Sequence, residues 1–468
     1  MKIITGLAAA LLLGTASLAA PQDVKPRIIV VSDIGNEPDD SESFVRFLLY
    51  TNQLDAEGFV AATSTWQREI IHPELFRERI EAYGKVLKNL RAEDKAYPEA
   101  ASLMALVKNG QPHYGMSHVG PGFDTEGSEW IIKQADKPDP RPLWVTLWGG
   151  AADLAQALYK VRATRTPEQV KAFVSKLRVY SISDQDDAGP WARANFPELF
   201  WIASINAFSQ YGSATWNGIS GEVHEDPKAE HMAGPDTRLV TNDWLDAHIR
   251  KGPLGALYPH HIWIMEGDTP SFLNLLSRGL SDLDHPEWGG WGGRYGKVAP
   301  QLGLYSNAND TVTGADGKTY NSNQATIWRW RQAYQNDFAA RMNWTLAPKF
   351  KDANHAPEAV LNGDKSFAPV HISAKFGETI SLSAEGSSDP DKNKLSYKWW
   401  IYNEAGSPAS EPQLKIADPL HASLIVPKPA SGWPGEGPER EVHVILEVQD
   451  DGTPALVSYR RAVVTVGP

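Results

Sequence analysis

Apolar residues follow two different rhythms along the chain. From Arg27 to about Leu280, short continuous apolar runs alternate with longer stretches of helical spacing. Arg27 to Val31, Gly58 to Ala62, Leu143 to Leu147, Leu177 to Ile182 and His261 to Met265 read as five strands. Uninterrupted apolar runs of this length suit strands buried on both faces. Between them, Ser41 to Tyr50 places Phe44, Val45, Leu48 and Leu49 on one helical stripe. Pro73 to Leu90 opens on a proline, and Ala151 to Tyr159 follows a Gly149-Gly150 turn. The alternation predicts an α/β fold, a mostly parallel sheet with helices on both faces. Such sheets bind ligands at the carboxyl ends of their strands, so the residues just after each strand matter most.

The stretch from Asp282 to Asn323, rich in Gly, Asn and Trp, reads as a long loop, functional or mobile, and Gln324 to Asn343 as a closing helix. The α/β domain is therefore expected over residues 24–345 and a linker over 346–359. From residue 360 to 468 the rhythm becomes that of an all-β immunoglobulin-like sandwich. Its expected strands are Thr379 to Leu382, Leu395 to Tyr402, Ser423 to Val426, Val442 to Val448 and Tyr459 to Val466. The pieces Ser387-Ser388-Asp389-Pro390-Asp391, Leu395 to Trp399 and Asp450-Asp451-Gly452 resemble PKD-type modules of extracellular carbohydrate-active proteins. A self-contained strand pattern behind a Pro-rich linker leads us to expect a unit that folds alone.

The first residues predict export. Lys2, an apolar stretch from Leu7 to Ala16 and the small residues of Ser17-Leu18-Ala19 compose a signal peptide over 1–19, cut after Ala19. The mature protein is expected in the periplasm or outside the cell, with no membrane partner. There is no cysteine, so packing alone must hold the fold. A net charge of −12 without a Lys/Arg cluster argues against a nucleic-acid partner. Seventeen tryptophans leave room for some beyond core needs, and sugar-binding surfaces use such rings.

The most informative stretch is Asp33-Ile34-Gly35-Asn36-Glu37-Pro38-Asp39-Asp40, four acids within eight residues at the end of the first strand. A helix N-terminus tolerates acids, but capping needs only one. Converging carboxylates repel unless a cation neutralises them, and oxygen-only ligands suit a hard ion such as calcium.

Here the chain resembles the nucleoside hydrolases, whose first strand ends in Asp-x-Asp-Pro-Gly-x-Asp-Asp. Asp33 matches the second Asp, Gly35 the glycine, and Asp39 and Asp40 the closing pair. Thr146 to Ala155 resembles the family's strand-Gly-Pro-Leu-Thr-Asn-Leu-Ala turn, and Gly267-Asp268 stands where the family places His-Asp. The resemblance spans Arg27 to Leu280. It implies Ca2+ held by Asp33, Asp40, the Ala152 carbonyl and Asp268. It also implies Asp33 as the base for an attacking water and Asp39 as a partner of a sugar hydroxyl. Val31 departs from the family's first Asp, and Gly267 removes a histidine that can help a nucleobase leave. With the sandwich appended, the chain resembles a secreted branch, the nucleoside-hydrolase-like proteins labelled cellulose-binding.

Asn36, Trp66, Asp184 and Asn195 complete the candidate substrate contacts, with Asp186, Asp187, His113 and His118 as further positions to watch. Asp389-x-Asp391-x-Asn393 opens like a calcium loop, but Lys394 and Trp400 occupy its glycine and glutamate positions, so it reads as a turn. The expected function is a secreted calcium-dependent hydrolase acting on a glycosidic bond of a polysaccharide or small glycoside. A non-catalytic carbohydrate-binding protein and a true nucleoside hydrolase are the alternatives.

Overall fold

The computed structural model describes residues 25–467 apart from 206–210, 224–229, 233, 235, 408–409 and 429–439, so the expected signal peptide lies outside the described residues. Arg27–Ser32 is the central strand β1, and all six of its residues are buried, as its unbroken apolar run requires. Around it stand β2 (Asp55–Ala61), β3 (Val107–Asn109), β4 (Leu143–Leu147), β5 (Leu177–Ser181) and β6 (Phe200–Ala203). The order across the sheet is β3-β2-β1-β4-β5-β6, all parallel. Chain order reverses between β1 and β4, and at that switch the loops after neighbouring strands diverge and leave a crevice. Helices α1 (Pro38–Leu48) and α2 (Pro73–Glu93) cover one face, packed in one large apolar cluster with Phe44, Phe59 and Phe76. A second cluster, holding Ile29, Val145, Leu154 and Val179, fills the other face.

Two expectations need correction. His261 to Met265 is not a strand: Ile262 is 52% and Trp263 46% exposed, while His261, Ile264 and Met265 are buried in irregular backbone. The Gly/Asn/Trp-rich stretch is not one long loop. Leu304–Asn307 extends the sheet parallel to β6, Tyr295–Lys297 pairs antiparallel beyond it, and Asp310–Thr313 and Thr319–Ser322 form a hairpin. The closing helix runs over Arg331–Trp344.

The C-terminal residues form the two sheets of a sandwich. One contains Val370–Lys375, Val457–Gly467, Arg440–Gln449 and Ser396–Ile401, the other Thr379–Ser383, His421–Ile425 and Gln413–Asp418. Leu382, Trp399, Leu424, Leu446 and Val464 lie in the core between them. The outer face of the first sheet is also buried. Tyr402, Ile445 and Tyr459 pack into the same cluster as Trp291, Trp330 and Tyr334 of the α/β part.

Candidate active site

The site is assembled where β1 ends. Asp33 follows the last strand residue and is 4% exposed. Gly35 makes the turn at φ +119°, and a β-carbon there would meet the His72 ring at 2.6 Å, so only glycine fits. Glu37 stands at the N-cap position of α1 without a side-chain capping bond, Pro38 opens the helix, and Asp39 and Asp40 occupy the first turn, where the helix dipole favours anions. The Ser32 hydroxyl bonds Asp40 Oδ1 and ties the helix start back to the strand. Asp268 arrives from a distant loop and heads the helix Thr269–Leu273. Its Ser271 neighbour donates to the Asp268 carbonyl at 2.7 Å and accepts from Trp148 Nε1 at 2.8 Å.

These segments bring Asp39, Asp40 and Asp268 together, with one oxygen of each lying within 4.8 Å of the others. Asp33, Asn36 and Glu37 share the same cavity. Burial, then the neighbouring negative charges, raises the carboxyls: Asp33 to about 6 and Asp39 to about 8. Burial first, then the charges of the other aspartates, holds Asp40 and Asp268 well above the usual carboxylate range. Among the described residues no Lys, Arg or His lines the cavity. Arg79 senses Asp40 but hydrogen bonds to the Leu75 carbonyl and Glu78. Asp268 Oδ2 is buried without a hydrogen-bond partner. An orphaned acceptor beside two further carboxylates, with no cationic side chain in the wall among the described residues, is a donor set that a hard cation fits.

Other predicted residues fall elsewhere. Ala152 begins the helix after β4 and packs in the second apolar cluster, outside the residues lining the cavity; this segment contributes Trp148 instead. Gly149 lies against Asp33, since a β-carbon there would come within 2.7 Å of Oδ1. Asp184 is held by Arg193 at 2.6 and 2.8 Å, and Asn195 accepts from Arg162 at 2.8 Å; neither lines the cavity. Asp186 accepts from the Ala151 and Ala188 amides, both at 2.9 Å, and so pins the glycine turn. Asp187 accepts from the Met116 amide at 2.7 Å. His113 pairs with Glu69 and stacks on His118, away from the acids.

Aromatic rings build the remaining wall. Trp66, 53% exposed, lines the cavity as expected, together with Trp148, Tyr211, Trp216 and Trp263. Tyr211 links Trp66 and Trp216, with ring centroids at 6.1 and 5.9 Å. At Gly267 a β-carbon would stand 2.8 Å from Asp39 Oδ2 and 3.1 Å from the Trp216 ring. The space beside position 267 is therefore filled by Trp216 and Asp39. Sequence reasoning missed Trp148, Tyr211, Trp216, Trp263 and Gln185. Trp263 carried a readable sign, an exposed-type aromatic two residues before Met265 and close to Asp268, but its apolar neighbours made it read as strand.

Residues 27–295 match the family model described as "Cellulose-binding Sde182, nucleoside hydrolase-like domain". The chain belongs to this Sde182 family. Residues 379–466 match the C-terminal domain of the cellulose-binding protein Sde0182. A solved family relative is a nucleoside hydrolase-related hypothetical protein from Saccharophagus degradans that is associated with carbohydrate metabolism. It is 36% identical, covers 95% of this chain and 100% of its own, and superposes with a TM-score of 0.78. Mouse clustered PcdhgC3 EC1-3 (20% identity, 21% of this chain and 31% of that one) and the effector protein XOO4466 (11%, 70% and 93%) have TM-scores of 0.14 and 0.29, too low to inform the Sde182 fold. No curated protein matches the chain.

Proposed function

We propose that this Sde182-family protein is a calcium-dependent hydrolase acting on a glycosidic bond of a polysaccharide or small glycoside. One observation carries the reading: Asp33, Glu37, Asp39, Asp40 and Asp268 share a single cavity walled by tryptophan, with no cationic side chain lining it among the described residues. Asp39, Asp40 and Asp268 would hold the ion, with Asp33 beside them. When bound, calcium supplies a positive centre that binds vicinal sugar hydroxyls and lowers the pKa of a bound water. Asp33 takes the proton from the attacking water at its carboxylate as the ring gains oxocarbenium character. Asn36 and Glu37 at the rim offer hydrogen bonds to sugar hydroxyls, and Trp66 and Trp263 offer faces for the apolar side of a sugar ring. The family's cellulose-binding description and the relative's association with carbohydrate metabolism support a carbohydrate partner.

One observation favours a second reading, glycan binding without hydrolysis: Trp216 and Asp39 crowd Gly267, leaving no histidine to protonate a leaving group there. A hydrolysis screen of the mature protein on polysaccharides, aryl glycosides and nucleosides, with calcium or with chelator, decides between them. We expect turnover that chelator abolishes and calcium restores, and that Asp33→Asn lowers about 100-fold or more, as for a lost general base. Glycan binding without wild-type turnover on any substrate leaves the binding protein as the correct reading.

A further inference from the structure

Helix α1 does more than present Asp39 and Asp40. One turn further on, Glu42, Ser43 and Arg46 are each 0% exposed, an expensive place for two charges. All three face the loop that delivers Asp268. Glu42 Oε2 accepts the backbone N–H of Glu266 at 2.9 Å. Arg46 Nε lies 2.8 Å from Glu266 Oε2. The Ser43 and Thr269 hydroxyls are 3.1 Å apart, and Thr269 also bonds Glu266 Oε2 at 2.8 Å. Tyr258 donates to the other oxygen, Oε1, at 2.6 Å. Arg46 is itself fixed, with its guanidinium 4.0 Å above the Phe338 ring and a bond to Gln335.

The residue at the focus is strained. Glu266 has φ +57°, a left-handed conformation that a side chain rarely adopts. Such conformations persist only when surroundings over-determine them, and they gather at working sites. Two residues later the chain reaches Asp268, after passing Gly267 between the Asp39 carboxylate and the Trp216 ring. Glu42 Oε1 has no hydrogen-bond partner.

We propose that Glu42 and Arg46 are positioning residues that, acting through Glu266, set the distance between Asp268 and the Asp39–Asp40 pair. A single rigid helix turn thereby fixes both halves of a cation site whose ligands lie more than 220 residues apart in sequence. The proposal rests on the cation-binding reading above. It separates the acidic loop after β1 from a plain helix cap, because the cap needs neither Glu42 nor Arg46.

The test measures calcium affinity by calorimetry, and terbium luminescence excited through the cavity tryptophans, on full-length mature protein held well below its unfolding temperature. Glu42→Ala should weaken calcium binding about tenfold or more, the effect typical of lost outer-shell partners. Glu42→Gln should recover most of it, since the amide oxygen accepts the same N–H. Thr269→Val, which removes a single hydroxyl, serves if Glu42→Ala does not fold and should weaken binding in the same direction. Leu424→Ala in the sandwich core should lower the melting temperature and leave calcium affinity unchanged. Wild-type affinity in folded Glu42→Ala, or in Thr269→Val, overturns the positioning role alone. No calcium binding by the wild type overturns the cation reading and this proposal with it.

Discussion

Three buried aspartates and a half-buried fourth, Asp39, give one cavity a pH signature that the proposed cation would shift. Asp33 rises from 3.8 to about 6 and Asp39 from 3.8 to about 8, chiefly through burial. Their folded values lie above their unfolded ones, so the cation-free folded state binds more protons than the unfolded chain across that window. The associated stability is fully present below about pH 4 and lost as pH rises through about 8. Melts in chelator should therefore show wild-type stability falling relative to Asp39→Asn between about pH 5 and 8. Calcium bound as proposed would displace the same protons, so its affinity should climb over that range. A wild-type melting temperature that does not fall relative to Asp39→Asn, or calcium affinity independent of pH, would sink this account. Asp33, Asp39 and Asp40 were legible in the sequence because carboxylates crowded at a strand end have few structural uses, whereas Asp268 came only from the resemblance. Trp148 and Trp216 were not, since a tryptophan in a helix or turn reads the same whether it faces core or cavity. The Ala152 carbonyl came only from the resemblance, and the cavity at that strand end is lined by the Trp148 side chain.

At the scale of elements, the fold was legible where burial is two-sided and long. The apolar runs of β1, β2, β4 and β5 could be read directly, whereas β3 and β6, with three and four residues, are too short to show a period. The segment 261–265 shows the converse failure, because an apolar run over a cavity mouth carries the composition of a buried strand. Its exposed Trp263, which lines the same cavity as the exposed Trp66, is costly in water and gains its use when a ring covers it. Trp66→Ala should accordingly weaken glycan affinity by about 1–3 kcal/mol, the range for burying a large apolar side chain. Its stability cost should stay within about 0.5 kcal/mol, as for other surface substitutions. Affinity electrophoresis against soluble glycans, paired with thermal melts, checks both halves. Equal loss of stability and affinity would mean that Trp66 is part of the core.

At the scale of the whole molecule, the strand rhythm of the sandwich shows one buried face and hides the other. Its outer sheet face carries Arg461, 0% exposed, which donates to the Leu280 carbonyl at 2.6 Å and to those of Trp288 and Gly289 at 2.9 and 3.1 Å. Burial lowers this guanidinium to about 10, so it is still charged at neutral pH. Nearby, Asp310 is fully buried between Arg294 and Arg329, each at 2.7 Å, and accepts from Tyr402 of the sandwich at 2.6 Å. His355 in the expected linker lies 3.0 Å from Glu93 of α2 and 3.1 Å from Asp391 of the sandwich. The Gly/Trp-rich stretch that reads as a loop is thus a docking floor, and cutting at residue 360 would expose Tyr402, Ile445, Tyr459 and a buried charge together. We therefore expect the full chain to unfold in one transition, with tryptophan fluorescence and far-ultraviolet dichroism coinciding. Arg461→Met should cost about 3 kcal/mol or more, because three buried carbonyls lose their donor at once. The isolated 360–468 fragment should aggregate or stay unfolded. A soluble fragment with cooperative melting, or two separated transitions in the full chain, would restore the self-contained module that the strand pattern predicts. A single transition would instead mean that the sandwich is part of the fold that holds Asp268, since Arg278, on the segment that follows Asp268, shares Asp337 with Arg341 and accepts the Tyr459 amide at its carbonyl.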